Sequence, residues 1–335
     1  MEVSLYPDVS FGEPFSHSCI AKAATLFVHV LLLSEWFAHI SVEWIHCITA
    51  FFTARDMQGS ARTVLLEKMD EERFLRFLNE DRVRHIFAIY DLKNAREKTK
   101  FWVSFQNDEI TGFLFEYDEK IIHTHGTPES VCRLLDFAKI NEPVFIIEPP
   151  HLPVVSKVFE PVQALDPFSK GKTTIFLVMK TDIAAFKPVY QHPARKLSFK
   201  DLKEIKKSLG EEYEKRAEKA MHTGFAFGAF YEGQLGSFAA APELLDDLAL
   251  IRGVYTVPSL RNKGLATSVC SALVEEIIRI GKQPMLWVAE SNLPARRTYR
   301  KLGFKKTGHV LIGFKARRLQ VSCTVGFHEN LSKRT

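Results

Sequence analysis

Cysteine is scarce and scattered. Cys19, Cys47, Cys132, Cys270 and Cys323 are the five in 335 residues, and no two form a C-x-x-C pair. That spacing supports neither a disulfide framework nor a zinc site, and a reducing cytoplasm is the expected compartment. Charge of one sign is not concentrated either. Lys and Arg number 45 against 40 Asp and Glu, a net of +5. With no long basic run and no interleaving of basic and aromatic residues, no nucleic-acid partner is expected. Long apolar runs are also missing. The best, Ala23–Leu33, contains His29 and is soon followed by Glu35, His39 and Glu43. A membrane span wants about 20 apolar residues. A signal peptide wants an early basic region and a small-residue cleavage site. Neither pattern is present, so no membrane partner is expected.

What is there begins with an odd segment. Residues 1–56 are apolar and aromatic, with Lys22 and Arg55 their only Lys or Arg. Three readings stay open: translation from an upstream start with Met57 the natural beginning, an interfacial helix, or a docked helical extension. From 57 to 187 the chain reads as an α/β unit. Glu67–Asn79 has helical periodicity and His85–Asp91 reads as a strand. Phe101–Gln106, Ile110–Tyr117 and Lys120–His125 read as a meander turned by Asn107-Asp108. Pro128–Ala138 reads as a helix capped by Thr127. Val144–Ile147 and Thr173–Lys180 read as strands. His123 and His125 alternate along their strand, but no third ligand at sensible spacing joins them, so no metal is expected. Phe186–Arg195, with Pro188 and Pro193, reads as a linker.

Beyond it, Ser198 caps a helix running to Lys207, and Glu211–His222 makes another. Phe225–Tyr231 and Gln234–Ala241 form a hairpin about Glu232-Gly233. Pro242–Asp247 reads as an acidic loop. The informative stretch follows. Leu250, Ile251, Val254, Tyr255 and Val257 form a β-rich run, closed by Pro258, with Gly253 marking a bulge. Arg261, Asn262, Lys263 and Gly264 then make a basic turn. Leu265, Val269, Leu273 and Ile277 recur every four residues, one face of a helix. A helix opening there points unpaired N–H groups at the turn, and its dipole favours an anion. Gly264 lets a phosphate approach the backbone, and Arg261 and Lys263 supply positive charge. After a second apolar run, Met285–Ala289, Asn292 stands at a helix N-cap with Pro294 in the first turn. Arg300, Lys301 and Gly303 suit that helix's end.

The order R-N-K-G-L-A, followed by Asn292, Ala295, Tyr299, Lys301, Leu302, Gly303 and Phe304, resembles the GNAT superfamily of acyl-CoA-dependent N-acyltransferases. The G-V-Y-T-x-P-x-x-R-x-K-G-x-A-T form is most similar to its glycine N-acyltransferase-like branch. The resemblance covers about 197–315. It implies an α/β fold of two tandem GNAT-like units, each a mixed, mostly antiparallel sheet flanked by helices. The expected divisions are 1–56, an atypical extension; 57–187, a degenerate GNAT-like domain lacking the phosphate turn; 195–315, the catalytic domain; and 316–335, a tail.

The resemblance also implies acetyl-CoA as cosubstrate and an amine acceptor, in a monomer or homodimer. Cofactor contacts would run over Tyr255, Thr256 and Val257, the turn Arg261, Asn262, Lys263, Gly264, Leu265, Ala266 and Thr267, and then Asn292, Arg296 and Tyr299. It implies an oxyanion donor at the backbone of Val254 or Tyr255 and Tyr299 as general acid. The carboxylate that many members carry on the second cofactor strand is replaced by Trp287. Glu290, Asp246, Asp247 or a water chain are the open choices for the base. Two other classes stay open as well: a non-catalytic acyl-CoA-binding module, and a protein that docks a partner or membrane through its N-terminus.

Overall fold

The computed structural model describes residues 61–68 and 71–320, which belong to one compact unit. The expectations for 1–56 and for 321–335, with Cys19, Cys47 and Cys323, lie outside the described residues.

The chain opens with strand β1 (Ala61–Leu65), helix α1 (Glu71–Asn79) and helix α2 (Ile86–Asn94). A meander follows: β2 (Thr99–Gln106), β3 (Glu109–Tyr117) and β4 (Ile121–Gly126). Its turns are tight because Asn107 and Asp108, then Asp118 and Glu119, all take left-handed φ of 51–64°. Thr127 caps α3 (Pro128–Leu134) by accepting the Ser130 N–H. Then come β5 (Val144–Ile147), the single turn α4 (Leu152–Val155), β6 (Phe159–Ala164) and β7 (Thr174–Lys180).

The expected strand at 85–91 is a helix. Ile86, Ala88, Ile89, Tyr90, Asp91 and Leu92 are all buried. A helix apolar on every side has no 3.6-residue pattern, so its sequence mimics a buried strand.

The second half repeats the order. It holds β8 (Ala194–Lys196), α5 (Leu202–Leu209), α6 (Glu211–Thr223), then β9 (Phe225–Tyr231), β10 (Gln234–Leu244) and β11 (Leu248–Thr256). After these come α7 (Leu265–Arg279), β12 (Gln283–Ala289), α8 (Leu293–Lys301) and β13 (Lys305–Arg318). The first half of the expected loop at 242–247 is strand, because β10 runs to Leu244, and only Leu245–Asp247 lie outside it. A bulge lets it continue past Pro242: β10 pairs Ala240 with Arg252 but Glu243 with Leu250. Pro is tolerated at a bulge because no ladder N–H is needed there.

Thirteen strands of the described residues join in one mixed sheet. Its order is β1-β2-β3-β4-β5-β13-β7-β12-β11-β10-β9-β8, with β6 on β13. Each half holds one parallel pair, β4 with β5 and β11 with β12. The halves are laced by exchange of their last strands. β7 pairs with β12 of the second half, and β13 pairs with β5 of the first.

The two faces of the second half are read from packing. Ala249, Ile251, Leu286 and Val288 join α7 in one apolar cluster. Leu250, Met285 and Trp287 turn the other way, onto the cluster built around α1 and α2. There Phe74 meets Phe101 and Phe113 edge-on, at 5.5 and 5.2 Å between centroids. Each fully buried Phe contributes about 1.5–3 kcal/mol by area, so this aromatic core binds the first half's helices to the common sheet.

Candidate functional site

β11 and β12 are paired only from Leu248–Gln283 to Ile251–Leu286. Beyond that point both continue, β11 to Thr256 and β12 to Ala289, with no residue paired between them. Two parallel strands that part in this way open a wedge through the sheet. The reason lies partly in β11. Against β10, Phe238 pairs with Tyr255 and Ala240 with Arg252, so Gly253 and Val254 stand opposite the single residue Ala239. Gly253 sits at φ 62°, which a glycine takes without strain. The expected bulge is therefore present, in the β10–β11 ladder beside the wedge. Val254, Tyr255, Thr256 and Val257 are half-buried along its side.

The basic turn lies at the end of the same strand. Arg261, Asn262 and Lys263 are exposed, and Asn262 and Gly264 are left-handed at φ 62° and 89°. Gly264 is the N-cap of α7, whose 15 residues align their dipoles toward the turn. Leu265 and Thr267 are buried against the sheet, while Ala266 is half-buried at the first turn. Arg261 spans back to the Thr256 carbonyl (3.3 Å), and its guanidinium lies 6.0 Å from the Tyr255 ring. Lys263 Nζ lies over Tyr231 at 4.3 Å. The backbone amides, the left-handed glycine and the two cations fit an anionic diphosphate.

The expected linker is tied to this helix. Ser268 Oγ accepts the N–H groups of Gln191 (3.0 Å) and His192 (3.1 Å), and Ser271 Oγ accepts that of Val189 (2.9 Å). The Gln191 side-chain amide occupies the space a Cβ of Gly264 would need. Glycine is thus required there by a protein neighbour and by φ, besides any ligand. Nothing in the local sequence signalled that contact.

On the far side of the wedge, Asn292 accepts the Ala295 N–H (3.2 Å) and starts α8. Arg296 Nη1 donates to the Glu290 carbonyl (2.6 Å), so the half-buried Arg296 fixes the β12–α8 corner. The Glu290 side chain is exposed. Tyr299 is buried against Phe304, 5.9 Å between ring centroids, in the cluster that includes Cys270. Burial, with Cys270 beside it, pushes its phenol well above 10. Burial likewise pushes the Cys270 thiol up to about 12. The remaining base candidates are engaged elsewhere: Asp247 pairs with Arg82 (2.5 Å) and Asp246 with Lys93 (3.7 Å). The bulge and the basic turn therefore follow one another beside the wedge, Tyr299 is buried in the α7 cluster, and Asp246 and Asp247 pair with cations of the first half.

Residues 227–311 match the protein family described as FR47-like protein. A GCN5-related N-acetyltransferase from Kribbella flavida aligns over 70% of this chain and 95% of its own, at 15% identity and a TM-score of 0.51. A Drosophila protein aligns over 76% of this chain and 97% of its own, at 12% identity and a TM-score of 0.54. The fold is one shared with a GNAT acetyltransferase. No curated protein sequence matches the chain.

Sequence reasoning missed the polar groups on the wedge's other face. Glu243, 3% exposed, holds Arg252 Nη1 at 2.7 Å through Oε1, while its Oε2 is buried with no partner. Asp91 on α2, 6% exposed, faces them. Phe87, one turn earlier on α2, stacks edge-on with Trp287 (4.9 Å) and lies 5.1 Å from the Arg252 guanidinium. The contacts of Phe87 and Asp91 with these residues join positions over 150 residues apart, so neither local pattern nor spacing could reveal them. His123 and His125 stack on Phe115 at 4.4 Å and on Phe113 at 4.6 Å, and His125 also hydrogen-bonds Glu148 at 3.1 Å. No helix of the described residues is long and apolar enough to cross a membrane.

Proposed function

We propose that the chain is an N-acyltransferase that moves an acetyl or related acyl group from acyl-CoA to a primary amine, in a ternary complex. The acceptor is a small molecule or amino acid, the compartment is the cytoplasm, and the protein works as a monomer or homodimer. Residues 195–315 carry the catalytic machinery, while 57–187 are a degenerate copy that completes the cleft. The observation that carries this reading is the alignment of the wedge with the basic turn. A diphosphate on Arg261–Ala266 directs a pantetheine arm along Tyr255–Val257 into the gap between β11 and β12. The bulge supports an oxyanion donor at Val254, because an N–H outside the ladder is free to meet developing charge. Tyr299 carries a proton to donate to a leaving thiolate, although burial makes its phenol a weaker acid than usual. Asn292 and Arg296 hold the corner from which α8, the helix of Tyr299, begins.

The test is titration calorimetry with acetyl-CoA on the protein and on Arg261→Ala/Lys263→Ala, followed by thiol release across a panel of primary amines. Micromolar binding that is lost in the double variant, with turnover of at least one amine, is the expected result. A folded protein that ignores acetyl-CoA would overturn the proposal. Binding without turnover would favour a non-catalytic acyl-CoA module.

A further inference from the structure

The first half reaches the wedge with a carboxylate. We infer that Asp91, supported by Glu243, is the proton acceptor for the amine, so that the half without a phosphate turn supplies the base for the half that has one. The inference rests on the acyltransferase reading given above.

Topology puts the pair in the right place. The parallel ladder of β11 and β12 ends at Ile251–Leu286. Glu243 lies cross-strand from Leu250, and Arg252, its ion-pair partner, is the first residue past the ladder's end. Leu250 and Trp287 pack toward α1 and α2, whereas Ile251 and Leu286 pack under α7. Glu243 therefore sits at the wedge's apex on the face away from α7, and Asp91, buried on α2 one turn after Phe87, is close enough to feel its charge and that of Arg252. A thioester threaded past the α7 N-terminus would meet an amine arriving from that opposite face. Two polar atoms on this face are unsatisfied in the protein alone: Glu243 Oε2 and Trp287 Nε1 are buried, each without a hydrogen-bond partner. Buried polar atoms are seldom left so, and an acceptor's N–H and a bound water are the groups that would satisfy them.

The charges facing Asp91 come from three elements besides its own. Glu243 from β10 opposes its ionisation, while Lys219 from α6 and Arg252 from β11 favour it; Tyr90 beside it on α2 is neutral, its phenol raised by burial. Burial is the largest effect, with Glu243 next, and together they lift the Asp91 carboxyl to about 7. A base poised near the working pH is the most effective kind. In the reaction, the acceptor's ammonium gives one proton to the Asp91 carboxylate. The freed lone pair forms the C–N bond at the thioester carbonyl, whose π electrons move to oxygen. Collapse breaks the C–S bond, and the thiolate takes the Tyr299 proton. The nitrogen's second proton replaces that one through water, and Asp91 returns its own to solvent, so one proton is released per turnover.

The test is the pH profile of acetyl-CoA turnover with a primary-amine panel, run beside calorimetric acetyl-CoA binding, for the full chain, Asp91→Asn and Glu243→Gln. The wild-type rate should rise with pH through about 7. Asp91→Asn should lose about 100-fold or more in turnover while acetyl-CoA affinity stays unchanged. Glu243→Gln should move the rising limb to lower pH, because a negative neighbour has gone; a merely structural Glu243 would not shift that limb. Asp91→Asn turning over like wild type, or a limb that Glu243→Gln leaves in place, would overturn the inference. So would acetyl-CoA binding without turnover, which leaves the phosphate turn intact. Failure of wild type to bind acetyl-CoA at all would remove the acyltransferase reading and this inference with it.

Discussion

Gly264 and Asp91 show how single residues carry strain toward the wedge. An L-residue at φ 89° pays for contact between its Cβ and the following carbonyl, about 1–2 kcal/mol. Gly264→Ala should therefore lose about that much stability, and the Gln191 amide would have to move as well. Adding Gln191→Ala should recover only part of the loss, as read by urea titration; full recovery would mean that collision alone, not φ, made the site need glycine. Asp91 works in the opposite sense. The unfolded carboxyl ionises near 3.8 and the folded one near 7, so the native state holds the extra proton between those values. Stability from this group is intact below 3.8 and is lost as pH rises through 7. Asp91→Asn removes that cost. It should stabilise the protein at pH 8 by about 2–4 kcal/mol and little at pH 4. A variant no more stable at pH 8 than wild type would show that the carboxylate is comfortable where it lies. A residue whose removal stabilises the fold is one retained for another reason, which bears on its role as base.

At the scale of elements, helix α8 depends on its cap. Asn292 satisfies one of the first N–H groups, so Asn292→Ala should cost about 1 kcal/mol. Because Arg296 ties the same turn to Glu290, the variant should also weaken acetyl-CoA binding; an unchanged melting temperature and affinity together would discount the corner's role. This element was legible in the sequence, since Asn, Pro and the closing Gly303 are short-range signals that act within one turn. So were the hairpins, whose Asn107-Asp108 and Glu232-Gly233 turns take the positive φ that such pairs favour. Helix α2 was not legible, because burial on every side erased its period. The run of β10 past Pro242 was hidden for a related reason: a bulge lets a strand carry a residue that ordinarily ends one. The basic turn could be read from Arg261–Gly264, but the opposite wall could not. Asp91, Glu243 and Trp287 are ordinary residues in their local surroundings, and they come together only when α2 is laid across β10, β11 and β12.

The whole molecule is laced by its exchanged strands, and that lacing sets how it should respond to acid. β7 lies between β12 and β13, so neither half can leave the sheet without breaking ladders of the other. Buried groups in the first half therefore act on the stability of the entire unit. His85 is held down to about 4, by burial first and by His125 second. Burial also lowers His123, His125 and His151. In the unfolded chain these four would take protons as pH falls through 6.5, while the folded protein refuses them. Stability should thus be lost from about 6.5 downward, with His85 alone contributing on the order of 3 kcal/mol by pH 4. Asp91 pulls the other way across the same range, but it is one group against four. Glu148 adds a later loss. Burial opposes its ionisation, yet hydrogen bonds from His125 and Arg84 hold it down to about 2, so its share disappears as pH falls from 4.5 toward 2. The expected thermal profile is a single cooperative transition with a near-level melting temperature above pH 7 and a steep fall below 6.5. A melting temperature unchanged between pH 6.5 and 4.5 would mean that the histidines find protons or water in the folded state. Two separated transitions would mean that the exchanged strands do not couple the halves.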